Sequence, residues 1–196
     1  MKSLTSSQFH TSCHFASMSN TETPTIQTNL RTIAELIKNV RVAMMFTQRD
    51  DRFNLDALKG RPMYTQKVDP ETFEGVLWFF TDASTSKVHE IETHPRVLLS
   101  YAMPEENTYA LVYGNAVCDQ DEAKARALWN IHAKGWWPEG PTSASLRIIR
   151  VQIDSAEYWQ GPSNASYMLS LLKAVATGQQ VNINAQHGVV DAAKTL

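Results

Sequence analysis

Short stretches of alternating apolar and polar residues, separated by turn-forming residues, recur along this chain and restrict it to folds built from antiparallel strands. Val40, Val42, Met44 and Phe46 alternate with Arg41, Ala43, Met45 and Thr47, which predicts a strand with at least one buried face. Leu55 to Val68 reads as a second strand, broken by Gly60 and Pro62. Proline cannot donate to a strand ladder, so Pro62 implies an edge, a bulge or a ligand-facing kink. Val76 to Thr81 is an aromatic strand. Val97 to Ala102 and Tyr109 to Cys118 follow, joined by a turn at Pro104 to Thr108, and Leu146 to Ile153 adds another. Helical spacing appears between them. Leu30, Ile33, Ala34 and Ile37 form one stripe, with Thr28 or Asn29 as its cap. Ser84 to Glu92 is a short helix ended by His94-Pro95. Asp121 caps a third helix carrying Ala127, Leu128 and Ile131, and Ser166 to Thr177 is a fourth, stopped at Gly178. Five or six strands joined by short turns favour an antiparallel barrel or sandwich over a parallel sheet.

The chain has 196 residues, enough for one domain with a sizeable core. Its 18 basic and 20 acidic side chains give a net charge of −2. That balance argues against a nucleic-acid track, which needs clustered Lys and Arg. No apolar run exceeds five residues, as at Val42 to Phe46 and Val76 to Phe80, far short of the ~20 that a membrane helix needs. Cys13 and Cys118 cannot build a disulfide framework, and no zinc-type cysteine pair exists. A reducing, cytoplasmic setting is the expectation.

Met1 to Ser19 holds eight Ser or Thr, one Lys, no Arg and no acid. It lacks the apolar run of a secretory signal, and Met18 is favoured over an organellar leader as the true start. His10, Cys13 and His14 lie close together but lack a further ligand pair, so a polar tail is the better reading. Residues 1–27 are therefore set aside as a leader or disordered segment. Residues 28–178 form the expected domain, and 179–196 a polar, weakly patterned tail.

Several chemistries are missing. The eight glycines contain neither a dinucleotide fingerprint nor a P-loop, and no nucleophile elbow or metal helix is present. The six histidines are scattered. His89 and His132 read as surface or helix-end residues. No metal site is expected.

What is present is Trp78-Phe79-Phe80-Thr81-Asp82-Ala83-Ser84-Thr85-Ser86-Lys87. An aromatic strand runs into a hydroxyl-rich turn, and a helix starts near Lys87. Helix-terminal amides, three hydroxyls and an ammonium group suit a phosphate. Arg61, on the preceding strand, offers a second cation, and Pro62 leaves nearby backbone free to face a flat heterocycle. The alternative is that the hydroxyls cap a surface helix and Lys87 is solvated.

These residues resemble a family. Arg61-Pro62-Met63, then Trp78-Phe79-Phe80-Thr81, then Ser84 and Ser86-Lys87, resemble the FMN-binding segments of the pyridoxamine 5′-phosphate oxidase-like split-barrel superfamily. The pattern continues without a gap through Ile91 and Pro95-Arg96-Val97. The general stress protein 26 branch is the most similar. It shares Tyr109 to Gly114, Leu128-Trp129-Asn130, Trp136-Trp137-Pro138-Glu139-Gly140 and Ala156-Glu157-Tyr158-Trp159. The resemblance implies a mainly β (α+β) fold: a six-stranded antiparallel split β-barrel with flanking short helices, homodimeric, with flavin in grooves between subunits. Arg61, Pro62 and Met63 would line one side of the isoalloxazine, with Phe80 and Thr81 beside the ring and ribityl chain. Ser86 and Lys87 would hold the phosphate. Trp159 would reach the flavin from the partner subunit, or serve as a plain core aromatic. Trp136 or Trp137 would cover the ring.

One departure limits the inference. In the oxidases, cationic residues soon after the matching tryptophan hold the substrate. Here Gln160 to Leu172 contains none, and the next cation is Lys173. Ser86 also stands where the oxidases commonly carry arginine. FMN binding therefore carries over, with FAD as the other flavin the turn would accept, and vitamin B6 oxidation does not. The expected function is an FMN-dependent oxidoreductase of the stress-protein type. It would use a small-molecule electron donor or acceptor and neither nucleic acid nor membrane. A non-enzymatic flavin store or redox-responsive stress factor is the first alternative. A haem- or deazaflavin-using barrel is the second, with His89 and His187 as axial candidates by elimination.

Overall fold

The computed structural model describes residues 26–51, 55–181 and 185–192. The leader segment with His10, Cys13 and His14 lies outside them. Helix α1, Ile26–Ile37, buries Ile33, Ala34 and Ile37, the stripe its spacing predicts. The helix begins ahead of Thr28 and Asn29, so neither stands at its cap.

Strand β1, Val42–Gln48, follows. Its buried row is Ala43, Met45 and Thr47, while Val42 and Met44 on the other row are exposed. A 3₁₀ turn at Leu55–Ala57 leads into β2, Leu58–Tyr64, which is shorter than the sequence suggests. Next come β3, Val76–Asp82; helix α2, Ser86–Thr93; β4, Arg96–Met103; and β5, Thr108–Asp119. Helix α3, Glu122–Leu128, starts where expected, with Asp121 accepting from the Lys124 amide at 2.9 Å. It ends before Ile131. Asn130 instead caps a separate helix α4, Ile131–Trp136, and Ile131 is exposed. His132 therefore sits in the first turn of a helix rather than at the end of one. Strand β6, Leu146–Gln160, extends well past Ile153. Helix α5, Asn164–Thr177, ends at Gly178 in the left-handed region at φ 67°, the stop that glycine provides without a Cβ clash. Within the tail, β7, Gln186–Asp191, pairs with β6 and buries Val190.

All pairings are antiparallel, in the order β2-β1-β4-β5-β6-β3, with β7 beside β3 along the same long edge of β6. This is the mainly β architecture with short helices that the sequence predicts, curled into a half-barrel. Among the described residues the count is seven strands rather than six, because β7 supplies one more. The turn of β5 against β6 shifts register between Tyr113 and Gly114. A Cβ on Gly114 would lie 2.3 Å from the Gln152 carbonyl, so only glycine allows the bulge.

Inside the curl lie Met45, Leu77, Phe79, Leu99, Tyr101, Val112, Ile149 and Val151, closed over by Ile33 and Ile37 of α1. A smaller cluster of Ala125, Trp137, Leu146 and Ile148 packs with Trp78, Phe80 and Trp129 and fixes α3 and α4 against the sheet. The first and last strands of the path meet only at a seam. There Thr65 bridges Phe79, and the Gln66 amide donates to the Trp78 carbonyl at 2.9 Å. Pro62, paired on one side with Met44, occupies the edge that its missing N–H implies. Among the described residues no helix is long and apolar enough to cross a membrane.

Candidate flavin cleft

Where β2 and β3 fail to pair, a cleft of about 430 Å³ opens. Pro62, Met63, Tyr64 and Gln66 form one wall and Phe80, Thr81, Asp82, Thr85 and Lys87 the other. Val42, His132, Ala133, Trp136 and Trp137 complete it. Its volume lies in the usual range for small-ligand sites, ~300–1,000 Å³. A second cavity of about 500 Å³ lies between α1 and the β4–β5 corner, lined by Arg31, Glu35, Asn39 and Glu106 among others. It has no aromatic wall and contains none of the residues predicted from the sequence.

One end of the seam cleft is cationic. Lys87 Nζ donates to Thr81 Oγ1 at 2.9 Å and forms no ion pair with a described carboxylate. Burial, and then the nearby Arg61 charge, hold its pKa below the ordinary lysine value. Arg61 itself turns away, donating to Thr47 Oγ1 at 2.7 Å and to Glu90 Oε2 at 2.8 Å. Glu90 is buried, which alone would raise its pKa. The hydrogen bonds from Thr47 and Arg61 and the Arg61 charge outweigh burial and keep the carboxylate below its ordinary value. The hydroxyls of the turn are mostly spent locally. Ser84 donates its amide and hydroxyl to Asp82 Oδ1, at 2.8 and 2.6 Å, and Thr85 donates to the Asp82 carbonyl at 2.8 Å. Thr85 makes no side-chain cap to α2, and Val88 alone of the first-turn amides turns back, to the Thr85 carbonyl at 3.1 Å, so the amides of Ser86 and Lys87 are the ones open to an anion.

The other end is aromatic. Phe80 sits 6.0 Å from Trp129 and meets Trp137 edge-on at 6.2 Å, and Tyr64 lies 4.7 Å from His132. Trp137 is buried at 9% exposure, whereas Trp136, on the same rim, is 82% exposed. Behind this end Asn130 Nδ2 donates to Gln66 Oε1 at 2.6 Å.

Pro62, Met63, Phe80, Thr81 and Lys87, all predicted from the sequence, therefore line one cleft. Arg61 and Ser86 stand beside it without lining it. Ser86 Oγ lies 3.5 Å from Lys59 Nζ. Trp159 is elsewhere, on the second half of β6, stacked 5.2 Å from His187. His89 and His187 are both absent from the cleft wall. His187 pairs with Glu157 at 2.8 Å, while His132 lines the cleft. Tyr64, Gln66 and His132 were not read as site residues from the sequence. Asn130, a strong capping residue just before Ile131, was the available signal that α4 begins there. Among the described residues no group of acidic, Cys or His side chains is placed to hold a metal.

The fold has solved counterparts. A candidate general stress protein 26 from Jannaschia sp. CCS1 superposes with a TM-score of 0.67 at 18% identity, covering 84% of this chain and 99% of its own. The general stress protein 26 of Bacillus anthracis gives 0.54 at 21%, over 68% and 92%. A general stress FMN/FAD binding protein from Xanthomonas citri gives 0.56 at 24%, over 67% and 87%. No curated protein sequence matches. The sequence pattern described as pyridoxamine 5′-phosphate oxidase like matches residues 28–182. With that match spanning most of the chain, and the split sheet and cleft in place, the protein belongs to the pyridoxamine 5′-phosphate oxidase-like family.

Proposed function

We propose that this protein binds flavin mononucleotide in the seam cleft and works as a flavin-dependent oxidoreductase. The observation that carries the reading is Lys87: a half-buried ammonium that forms no ion pair with a described carboxylate, at one end of an otherwise aromatic slot. An ammonium kept there against desolvation suits an anion such as a phosphate, and aromatic walls suit a flat ring. The flavin-binding relative from Xanthomonas citri supports the same reading. Bound flavin would supply hydride or electron transfer. The chain would bind the phosphate through Lys87 and the α2 amides, sandwich the ring between Met63, Phe80 and Trp136, and exclude water. Oxidation of pyridoxamine phosphate is not part of the proposal. Gln160 to Leu172 carries no cation, and its first residues instead anchor α5, with Asn107 Nδ2 donating to the Pro162 carbonyl and Asn164 Oδ1.

A homodimer belongs to the same reading. Val42 and Met44 expose an apolar row beside the cleft, a surface that a second copy would cover.

The test is the visible spectrum of purified protein after FMN addition and desalting, alongside a Lys87→Ala variant. Retained flavin in the wild type and its loss in the variant are expected. A wild type that holds no flavin overturns the proposal. Flavin held tightly, with slow reoxidation and no donor able to reduce it, would convert it to flavin storage.

A further inference from the structure

Asn130 is held by its own helix. Its Oδ1 accepts from the amides of His132 and Ala133 at 3.0 and 3.1 Å, and its Nδ2 donates to the Leu128 carbonyl at 3.1 Å. Three backbone groups thus fix which end of this amide is oxygen and which is nitrogen. The remaining hydrogen of Nδ2 points to Gln66 and meets Oε1 at 2.6 Å. Gln66 has no freedom to turn over, because rotation would set two NH₂ groups against each other. Its backbone is fixed as well, by the seam bond to Trp78. Gln66 is only 4% exposed and lines the cleft; no described residue accepts from its Nε2, and since no buried side-chain nitrogen or oxygen among the described residues lacks a partner, that atom keeps contact with solvent.

We propose that Asn130 is a positioning residue that, through Gln66, makes the aromatic end of the cleft a hydrogen-bond donor. The donor is Gln66 Nε2. It selects a ligand edge bearing an acceptor, a carbonyl oxygen or an unprotonated ring nitrogen, and rejects one bearing N–H. A ligand that covers this donor without accepting from it strips its water and leaves it unmatched, so the preference is enforced by desolvation as well as by the bond itself. The donor also favours a ring that gains electron density, since a fixed dipole aimed at developing negative charge needs no reorganisation. Asn130 is not among the residues lining the cleft, so it acts on the ligand only by orienting Gln66. This inference rests on the flavin reading for the identity of the ring, but the orientation of Gln66 can be tested without a ligand.

Asn130→Asp separates the roles. Aspartate still accepts from the two α4 amides but cannot donate, so Gln66 should turn its NH₂ toward Asp at 130 and present oxygen to the cleft. In ligand-free, ¹⁵N-labelled protein, the Gln66 side-chain amide is identified by its loss in Gln66→Met. In Asn130→Asp its protons should move downfield and exchange more slowly with water. With FMN, Asn130→Asp should bind roughly tenfold more weakly, shift the visible bands of the bound flavin and make it harder to reduce. In the Gln66→Met background, the same Asn130→Asp change should alter none of these, which isolates the coupling. An unchanged Gln66 amide signal in Asn130→Asp overturns the proposal, as does an equal spectral shift in the Gln66→Met background. Failure of the wild type to retain FMN would overturn the flavin reading instead, leaving the amide result to decide the orientation.

Discussion

Arg61 and Glu90 form a largely buried ion pair across the split of the barrel, 2.8 Å apart, with their side chains 15% and 5% exposed. The pair joins edge strand β2 to helix α2, so it fixes the two elements that flank the cationic end of the cleft. Removing one partner strands the other charge, which typically costs ~3–5 kcal/mol. Glu90→Gln should therefore lower the urea midpoint strongly at pH 7. Glu90 has a depressed folded pKa. Its contribution is present above the unfolded carboxylate value, ~4.3, and is lost as pH falls through the folded value. The wild type should thus lose stability below about pH 4, and Glu90→Gln should flatten that limb. A variant with wild-type midpoints at both pH values would show that the pair contributes nothing net.

Trp136 and Trp137 are neighbours with opposite surroundings. Trp137 is packed with Ala125, Leu146 and Ile148, whereas Trp136 stands exposed on the cleft rim. Trp137→Ala should destabilise the fold by ~3–5 kcal/mol. Trp136→Ala should change stability by no more than ~0.5 kcal/mol but raise the fluorescence and solvent access of bound flavin. Thermal melts and flavin emission measured together decide the assignment. Equal melting losses would place both rings in the core.

Much of this arrangement could be read from the sequence because the signals were local. Pro62 called for an edge, a bulge or a kink, and it lies on an edge strand; Asp121 marked a helix start, and Trp78 to Lys87 a strand, turn and helix in order, and both are present. Other features depended on contacts distant in sequence. Both rows of β1 are apolar, so alternation alone could not say that Ala43 and Met45, rather than Val42 and Met44, face inward. Gln66 meets Asn130, distant in sequence, because α3 stops at Leu128 and Asn130 starts a new helix. Arg61 was expected to face the ligand. The structure turns it to Glu90, whose charge is hidden in the pattern of a short amphipathic helix.

Trp159 offers a test of the proposed dimer. It lies partly exposed on β6, near exposed Tyr109, its partner in the β5–β6 register, and away from the cleft of its own chain. If a second copy brings this ring to the cleft, sedimentation should give twice the 22.0 kDa chain mass. Trp159→Ala should then alter the flavin spectrum with little change in melting temperature. A monomer that binds FMN as tightly as the proposal requires would remove Trp159 from the site.

Lys87 should trade stability for binding. Its pKa is lowered by burial and by Arg61, so the folded state is penalised while Lys87 is charged and relieved as it deprotonates. Lys87→Met, which keeps the stem and removes the charge, should leave the ligand-free protein as stable as wild type or more so. Its affinity for FMN should fall roughly ten- to a hundredfold, the worth of a charge-assisted contact, while riboflavin, which lacks the phosphate, should bind both proteins alike. The pH dependence has a definite direction. Wild-type FMN affinity should decline as Lys87 loses its proton at a pH below the ordinary lysine value, ~10.4, and Lys87→Met should lack that decline. Titration calorimetry with both ligands across this range separates the effects. An equal loss for riboflavin would mean that Lys87 supports the ring pocket rather than the phosphate.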